Sequence, residues 1–324
     1  MTDRRHFLRI LGSAAVALPG FAGVSKPLRG IFPIMQTPYT PDDKIDMPVL
    51  AKQVGFLEKC GVHGMVWPQL ASEYYNLTHD ERIAGAEAIL AAGKDVKPAL
   101  VIGVQAQQAA EAAEFARHAT KHGANALIAL PPREETDWNR ISAYYKTIGE
   151  ATPLPLFVQA IGKVSVENII DLSRAVPTLR YIKDEAGPVL MRISEVKKKA
   201  PELHPFTGGH SRTLVDEMMR GSEGSMPAAG WADLNAAAWD AFHAGDRDKA
   251  LELTGKSLLC VLAAESYGLG AIKYVLHLRG VFPTYTVRQG KTHPNENSKT
   301  SPLDENAKRS IQAVYEHVKP YLKG

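Results

Sequence analysis

The chain has 324 residues and a formal net charge of +3, with 45% hydrophobic and 23% charged residues. That balance describes a soluble globular protein with material for a large core, and it leaves no clustered basic face for nucleic acid beyond the short run Lys197–Lys199. The two cysteines, Cys60 and Cys260, have neither metal-ligand spacing nor the pattern of a disulfide framework, so buried free thiols are expected.

Residues 1–25 read as an address rather than as fold. Arg4-Arg5-His6-Phe7-Leu8-Arg9 precedes an apolar stretch from Ile10 to Ala22 and small residues at Ala22-Gly23. A charged start, a modest apolar run and small residues make an export signal, and the paired arginines resemble the bacterial twin-arginine type. A periplasmic mature protein is the expectation. The apolar run is too short for a comfortable membrane span, and no other segment is long enough, so no stable span is expected in the mature chain.

From Gly30 onward, apolar strands alternate with amphipathic helices. Gly30–Met35 reads as a strand and Met47–Cys60 as a helix; Gly64–Trp67 is a strand followed by the long loop Pro68–Tyr75. Thr78 with Glu81 makes a capping box for the next helix. Then come a strand at Ala99–Val104, a helix at Gln107–His122, a strand at Ala126–Leu130 and a helix at Asp137–Gly149. Strands at Leu156–Val158, Arg180–Ile182, His204–Thr207 and Gly224–Met226 alternate with helices at Val166–Val176, Val189–Lys199 and Ser211–Arg220. The chain after Trp231 is mostly helical, broken near Gly268–Gly270 and at Gly280, with a polar surface excursion at Tyr285–Leu303.

Eight strand–helix units spaced roughly 20–35 residues apart have the rhythm of a (β/α)₈ TIM barrel. The strands are continuous apolar runs, as a parallel sheet buried on both faces requires. The expected organisation is a signal at 1–25, a barrel at 28–232 and an additional C-terminal helical region at 233–324 packed on the barrel. On this fold, chemistry sits at the C-terminal ends of the strands. Lys183 is the one lysine placed there, in the stretch Leu179–Gly187. Alone, that stretch allows a loop-edge ion pair with Asp184 or Glu185. At a barrel mouth it suggests an amine nucleophile, because a desolvated ammonium favours its neutral form. Other residues near the mouth are Arg133, Lys163, Gly208-Gly209 and His210; a cap on the following helix is the expected role of His210. Trp67 and Trp231 are expected mainly in the core. No His-Glu-x-x-His, cysteine pair or ligand-spaced carboxylates point to a metal.

Four segments resemble the dihydrodipicolinate synthase/N-acetylneuraminate lyase family: Ile31–Tyr39 ending Gln-Thr-Pro-Tyr; Ala71-Ser72-Glu73 with Leu77-Thr78 and Glu81-Arg82; Tyr181-Ile182-Lys183-Asp184; and Gly270–Gly280 with Ile272-Lys273. The resemblance spans the chain from about Gly30 onward. It implies a homo-oligomer, a dimer or tetramer, with Lys183 forming an imine with the carbonyl of a 2-oxo acid and no other cofactor. It also places Leu70 and Ala71 on the family's two threonines, where backbone N–H groups bind the substrate carboxylate, and Ser72 on a glycine, adding a hydroxyl. Glu73 becomes a structural glutamate of that loop. Gln159 stands where the family usually has a tyrosine that relays protons, and Pro132-Arg133 where a second tyrosine would be. Gln159 is expected to orient a water or a substrate oxygen, and Glu185, Gly209 and Met226 to line the substrate site.

The resulting expectation is a Schiff-base-forming lyase, a class I aldolase or dehydratase, acting on a small 2-oxo acid such as pyruvate or a deoxy sugar acid. The missing phenol and threonine hydroxyl argue against the lysine-biosynthetic synthase. The rival expectation is an exported barrel that binds a small acidic ligand without turnover.

Overall fold

The computed structural model describes residues 26–288 and 303–323. The expected export signal and most of the polar stretch Tyr285–Leu303 lie outside the described residues. Eight parallel strands form one sheet: β1 (Gly30–Ile31), β2 (Gly64–Trp67), β3 (Ala99–Gly103), β4 (Ala126–Ala129), β5 (Leu156–Ala160), β6 (Leu179–Asp184), β7 (His204–Thr207) and β8 (Gly224–Ser225), in the order β1-β8-β7-β6-β5-β4-β3-β2. The segment after β1 closes the ring, because Ile34 bridges both Val66 and Ala228. β1 is shorter than the apolar run Gly30–Met35 because Pro33 has no N–H to give the ladder.

Helices α1 (Met47–Lys59), α2 (His79–Ala92), α3 (Ala109–Lys121), α4 (Trp138–Glu150), α5 (Val166–Ala175), α6 (Val189–Lys199) and α7 (Leu214–Met219) alternate with the strands, giving the expected (β/α)₈ barrel. The Thr78–Glu81 capping box that starts α2 is formed, with Glu81 N donating to Thr78 Oγ1 at 3.2 Å and Thr78 N to Glu81 Oε2 at 2.9 Å. α7 starts later than Ser211, since His210 and Ser211 both have positive φ (58° and 61°) and cannot continue a right-handed helix. Helix α8 (Ala232–His243) follows β8, packs against β1 and completes the ring of eight, and helices α9 (Arg247–Glu265), α10 (Leu269–Leu278) and α11 (Glu305–Val318) follow the barrel. Gly268, at φ 74°, makes the expected break between α9 and α10.

Strand side chains alternate between two cores. Phe32, Val66, Val101, Ile128, Phe157 and Phe206 fill the barrel interior. Their neighbours Ile31, Met65, Leu100, Leu127, Leu156 and Ile182 face outward onto the helices. Cys60 and Cys260 are free and buried, as expected. Among the described residues no helix is long and apolar enough to cross a membrane.

Candidate active site

The same alternation fixes the site. In β6, Tyr181 points inward and Ile182 outward, so Lys183 points inward; in β5, Phe157 and Gln159 do likewise. β6 extends two residues beyond the expected end, and Lys183 pairs in register with Gln159 on one side and Phe206 on the other. Beneath them the rings of Phe157, Tyr181 and Phe206 close the barrel, with Phe157 stacked on Tyr181 at 4.6 Å and edge-on to Phe206 at 5.2 Å. Lys183 thus stands on an aromatic floor, buried at 4% exposure.

Its partner is Glu185, whose Oε2 lies 3.0 Å from Lys183 Nζ. Gln159 Nε2 donates to the same oxygen at 2.6 Å, and Gly209 N donates to Oε1 at 3.2 Å. The Glu185 side chain is still 27% exposed at the mouth; partial desolvation there pushes its carboxyl up, but the Lys183 ammonium and these hydrogen bonds outweigh it and hold the group below the usual carboxylate range. Gly208 leaves room for this pose, since a Cβ there would sit 1.8 Å from Glu185 Oε1 and 2.7 Å from its Cγ and would push the carboxylate aside. Asp184 takes no part. It turns outward to Arg192, whose Nε donates to both carboxylate oxygens at 2.9 Å.

The β2–α2 loop supplies a second wall. Leu70–Ser72 is a single 3₁₀ turn, so the N–H groups of Leu70 and Ala71 lead it with no carbonyl of the turn behind them. Ser72 does not present its hydroxyl to the site: Oγ donates to Met35 O at 2.6 Å and accepts from Gln69 N at 3.0 Å, inside a fully buried loop base. Thr37 Oγ1 donates to Ser72 O at 2.6 Å and ties the loop to the segment after β1. Glu73, at φ 60°, faces inward to a buried ion pair with Lys273 of α10 and accepts from Arg288 N at 2.9 Å. Lys273 Nζ also donates to Thr286 O at 2.8 Å and lies 4.4 Å from the centre of the Tyr39 ring. Glu73 is therefore structural, as expected.

A cavity of about 290 Å³ opens between these walls, and Leu70, Ala71, Lys183, Glu185, Gly209 and Met226 all line it. Gln159 and Ser72 do not; Gln159 reaches the cavity only through Glu185. His210 lines it too and is no helix cap, since α7 takes Thr213 at its cap position. Burial, and next the charge of Arg212, push the His210 imidazole down to about 4, so it is neutral at neutral pH. Arg212 and Glu265, which the sequence did not single out, form an ion pair on the same wall. Glu265 ends α9, so the added helices contribute to the mouth, and nothing local in the sequence marks it. A second cavity of about 630 Å³ shares Leu70 and is lined by Tyr75, Arg133 and Lys163. Trp67 and Trp231 are fully buried in the outer core and line neither of these cavities.

One group of metal-ligating side chains occurs among the described residues, Glu87 with His118 and His122, their ligand atoms within 4.8 Å of one another. It lies on the outer helices α2 and α3 and the cap residue after α3, and includes none of the residues at the mouth.

The sequence pattern of the Dihydrodipicolinate synthetase family matches residues 27–309. The chain is 28% identical over 285 residues to the 4-hydroxy-tetrahydrodipicolinate synthase of Rhizobium meliloti (strain 1021), covering 85% of this chain and 96% of that one. It is 26% identical over 269 residues to an Escherichia coli (strain K12) protein named "Probable 2-dehydro-3-deoxy-D-pentonate aldolase", covering 79% of this chain and 89% of the relative. Among solved structures, N-acetylneuraminate lyase from Mycoplasma synoviae superposes with a TM-score of 0.78 at 22% identity, covering 91% of this chain and 98% of that chain. At that identity the likeness speaks for the fold alone.

Proposed function

The chain belongs to the dihydrodipicolinate synthetase family, and from that premise we propose that it is a Schiff-base-forming lyase acting on a small 2-oxo acid such as pyruvate or a deoxy sugar acid. The observation that carries the reading is the inward-facing, buried Lys183 at the C-terminal end of β6, with a cavity of about 290 Å³ beside it. A primary amine there attacks the 2-oxo carbon and, with loss of water, becomes a protonated imine. The imine is an electron sink for cleavage of a C–C bond or loss of a hydroxyl further along the substrate. The free N–H groups of Leu70 and Ala71 suit the substrate carboxylate, a contact that needs no side chain. The second cavity, with Arg133 and Lys163, suits distal hydroxyls or a second carboxylate. With Gln159 and Leu70 in place of a phenol and a hydroxyl, lysine-biosynthetic synthase activity is not part of this reading.

Borohydride added with pyruvate is expected to leave a reduced adduct on Lys183, read by mass spectrometry of the peptides. No adduct with any of a panel of 2-oxo acids would sink the reading. We also infer export, from the arginine-paired start of the chain, and assembly into a homo-oligomer. Cell fractionation followed by sizing tests both. A full-length chain confined to the cytosol removes the first, and a monomer the second.

A further inference from the structure

Imine chemistry needs a group beside the nitrogen that moves protons on and off oxygen and carbon, and an amide such as Gln159 does not do this at neutral pH. We infer that Glu185 is the catalytic acid and base of this site, held against the reacting nitrogen in place of a phenol. The inference rests on the imine reading of Lys183.

Three features place the carboxylate there. Oε2 is 3.0 Å from Lys183 Nζ, within proton-transfer reach. Gln159 Nε2 and Gly209 N each hold one of its oxygens, at 2.6 Å and 3.2 Å, so its orientation is fixed from two other strand ends. Gly208 leaves the space it fills, because any Cβ there would overlap the Glu185 side chain from Cγ to Oε1. The other titratable groups lining the cavity suit the task less well. His210 is a weak base, and Arg212 and Glu265 are paired with each other. Among the described residues no tyrosine lines this cavity.

Nζ of the resting ammonium gives a proton to Oε2, leaving an amine and an acid. The amine lone pair forms the N–C bond as the carbonyl π electrons move onto oxygen. Glu185 gives its proton to that oxygen, takes one from the nitrogen, and gives it to the departing hydroxyl, which leaves as water. An iminium and a carboxylate remain, so the net charge is unchanged. The carboxylate then takes a proton from C3, the C–H electrons forming the enamine double bond as the C=N pair moves onto nitrogen. In aldol cleavage it takes the proton of the C4 hydroxyl instead, as the C3–C4 bond supplies those electrons.

Pyruvate in deuterated water separates this step from imine formation. Wild-type protein is expected to give the borohydride adduct on Lys183 and to exchange the methyl hydrogens of pyruvate for deuterium, followed by NMR. Glu185→Gln is expected still to give the adduct on long incubation, with exchange slowed about 100-fold or more. Glu185→Asp, which keeps the acid but shortens its reach, is expected about tenfold below wild type. Glu185→Gln exchange within about threefold of wild type, with the adduct present, overturns the assignment. So does a wild-type adduct with no exchange. Should Glu185→Gln fail to fold, wild-type exchange in Glu185→Asp overturns it. Absence of the wild-type adduct with pyruvate and with every other acid of the 2-oxo acid panel is a different failure: it removes the imine reading and the role of Glu185 with it.

Discussion

Lys183→Ala is expected to lower kcat/KM by on the order of 10⁴-fold or more and to abolish the borohydride adduct, because it removes the nucleophile itself. No substitute is at hand. Among the described residues Lys183 is the one lysine lining its cavity, and Lys163 lines the neighbouring one. Lys183→Arg is expected to rescue nothing, since a guanidinium keeps the charge but does not lose its proton. The ammonium that holds the Glu185 carboxyl down is also gone from the alanine variant, so that carboxyl is expected to titrate higher than in wild type. Steady-state kinetics and mass spectrometry on variants with unchanged circular dichroism make the measurement. If the alanine variant keeps the ligand affinity of a wild type that shows no turnover, the barrel is a binding protein; if turnover itself survives the substitution, the imine reading of Lys183 is wrong.

The second large effect is expected far from the imine. Lys273→Met should cost about 3–5 kcal/mol of stability, the usual consequence of removing one partner of a buried ion pair. Both Lys273 and Glu73 have fully buried side chains, so the carboxylate left behind has no water to turn to. Burial pushes the Lys273 ammonium down despite the opposing pull of Glu73. The loss should reach the site, because Glu73 anchors the turn that carries Leu70 and Ala71. KM for a 2-oxo acid is therefore expected to rise more than kcat falls. Lys273→Met/Glu73→Leu should regain much of the stability, since a buried pair replaced by apolar groups is often neutral. Urea unfolding decides it: a loss under about 1 kcal/mol for Lys273→Met would show that the pair does not hold the loop.

The barrel was legible because a parallel sheet covered on both sides writes its strands as uninterrupted apolar runs. Lys183 was legible for the converse reason, as a lone cation at the end of such a run. Strand ends were less so. Lys183 and Asp184 look like loop, yet the ladder continues through them because one points into the barrel and the other pairs with Arg192. At β1 the error ran the other way, since an apolar run concealed the missing N–H of Pro33. Glu185 could be read as a candidate partner of Lys183 and a residue of the mouth, but not how it is held there. As one of two acids in a turn it resembles a solvated charge, and only Gln159, Gly208 and Gly209, distant in sequence, bring it onto the lysine. The same holds for Ser72, whose hydroxyl is consumed by a carbonyl of the segment after β1, and for the Arg212–Glu265 pair contributed by an added helix. Lys273 fell in a helix that the family resemblance placed near the mouth, but its partner Glu73 is 200 residues away.

The overlap between a Cβ at 208 and the side chain of Glu185 also constrains how such a site can arise. The two positions are not free to vary independently: a carboxylate reaching the lysine and a side chain at 208 exclude one another. A side chain introduced at 208 is therefore expected to swing the Glu185 carboxylate away from Lys183, so that a change at one position is felt as a change in the proton chemistry of the other.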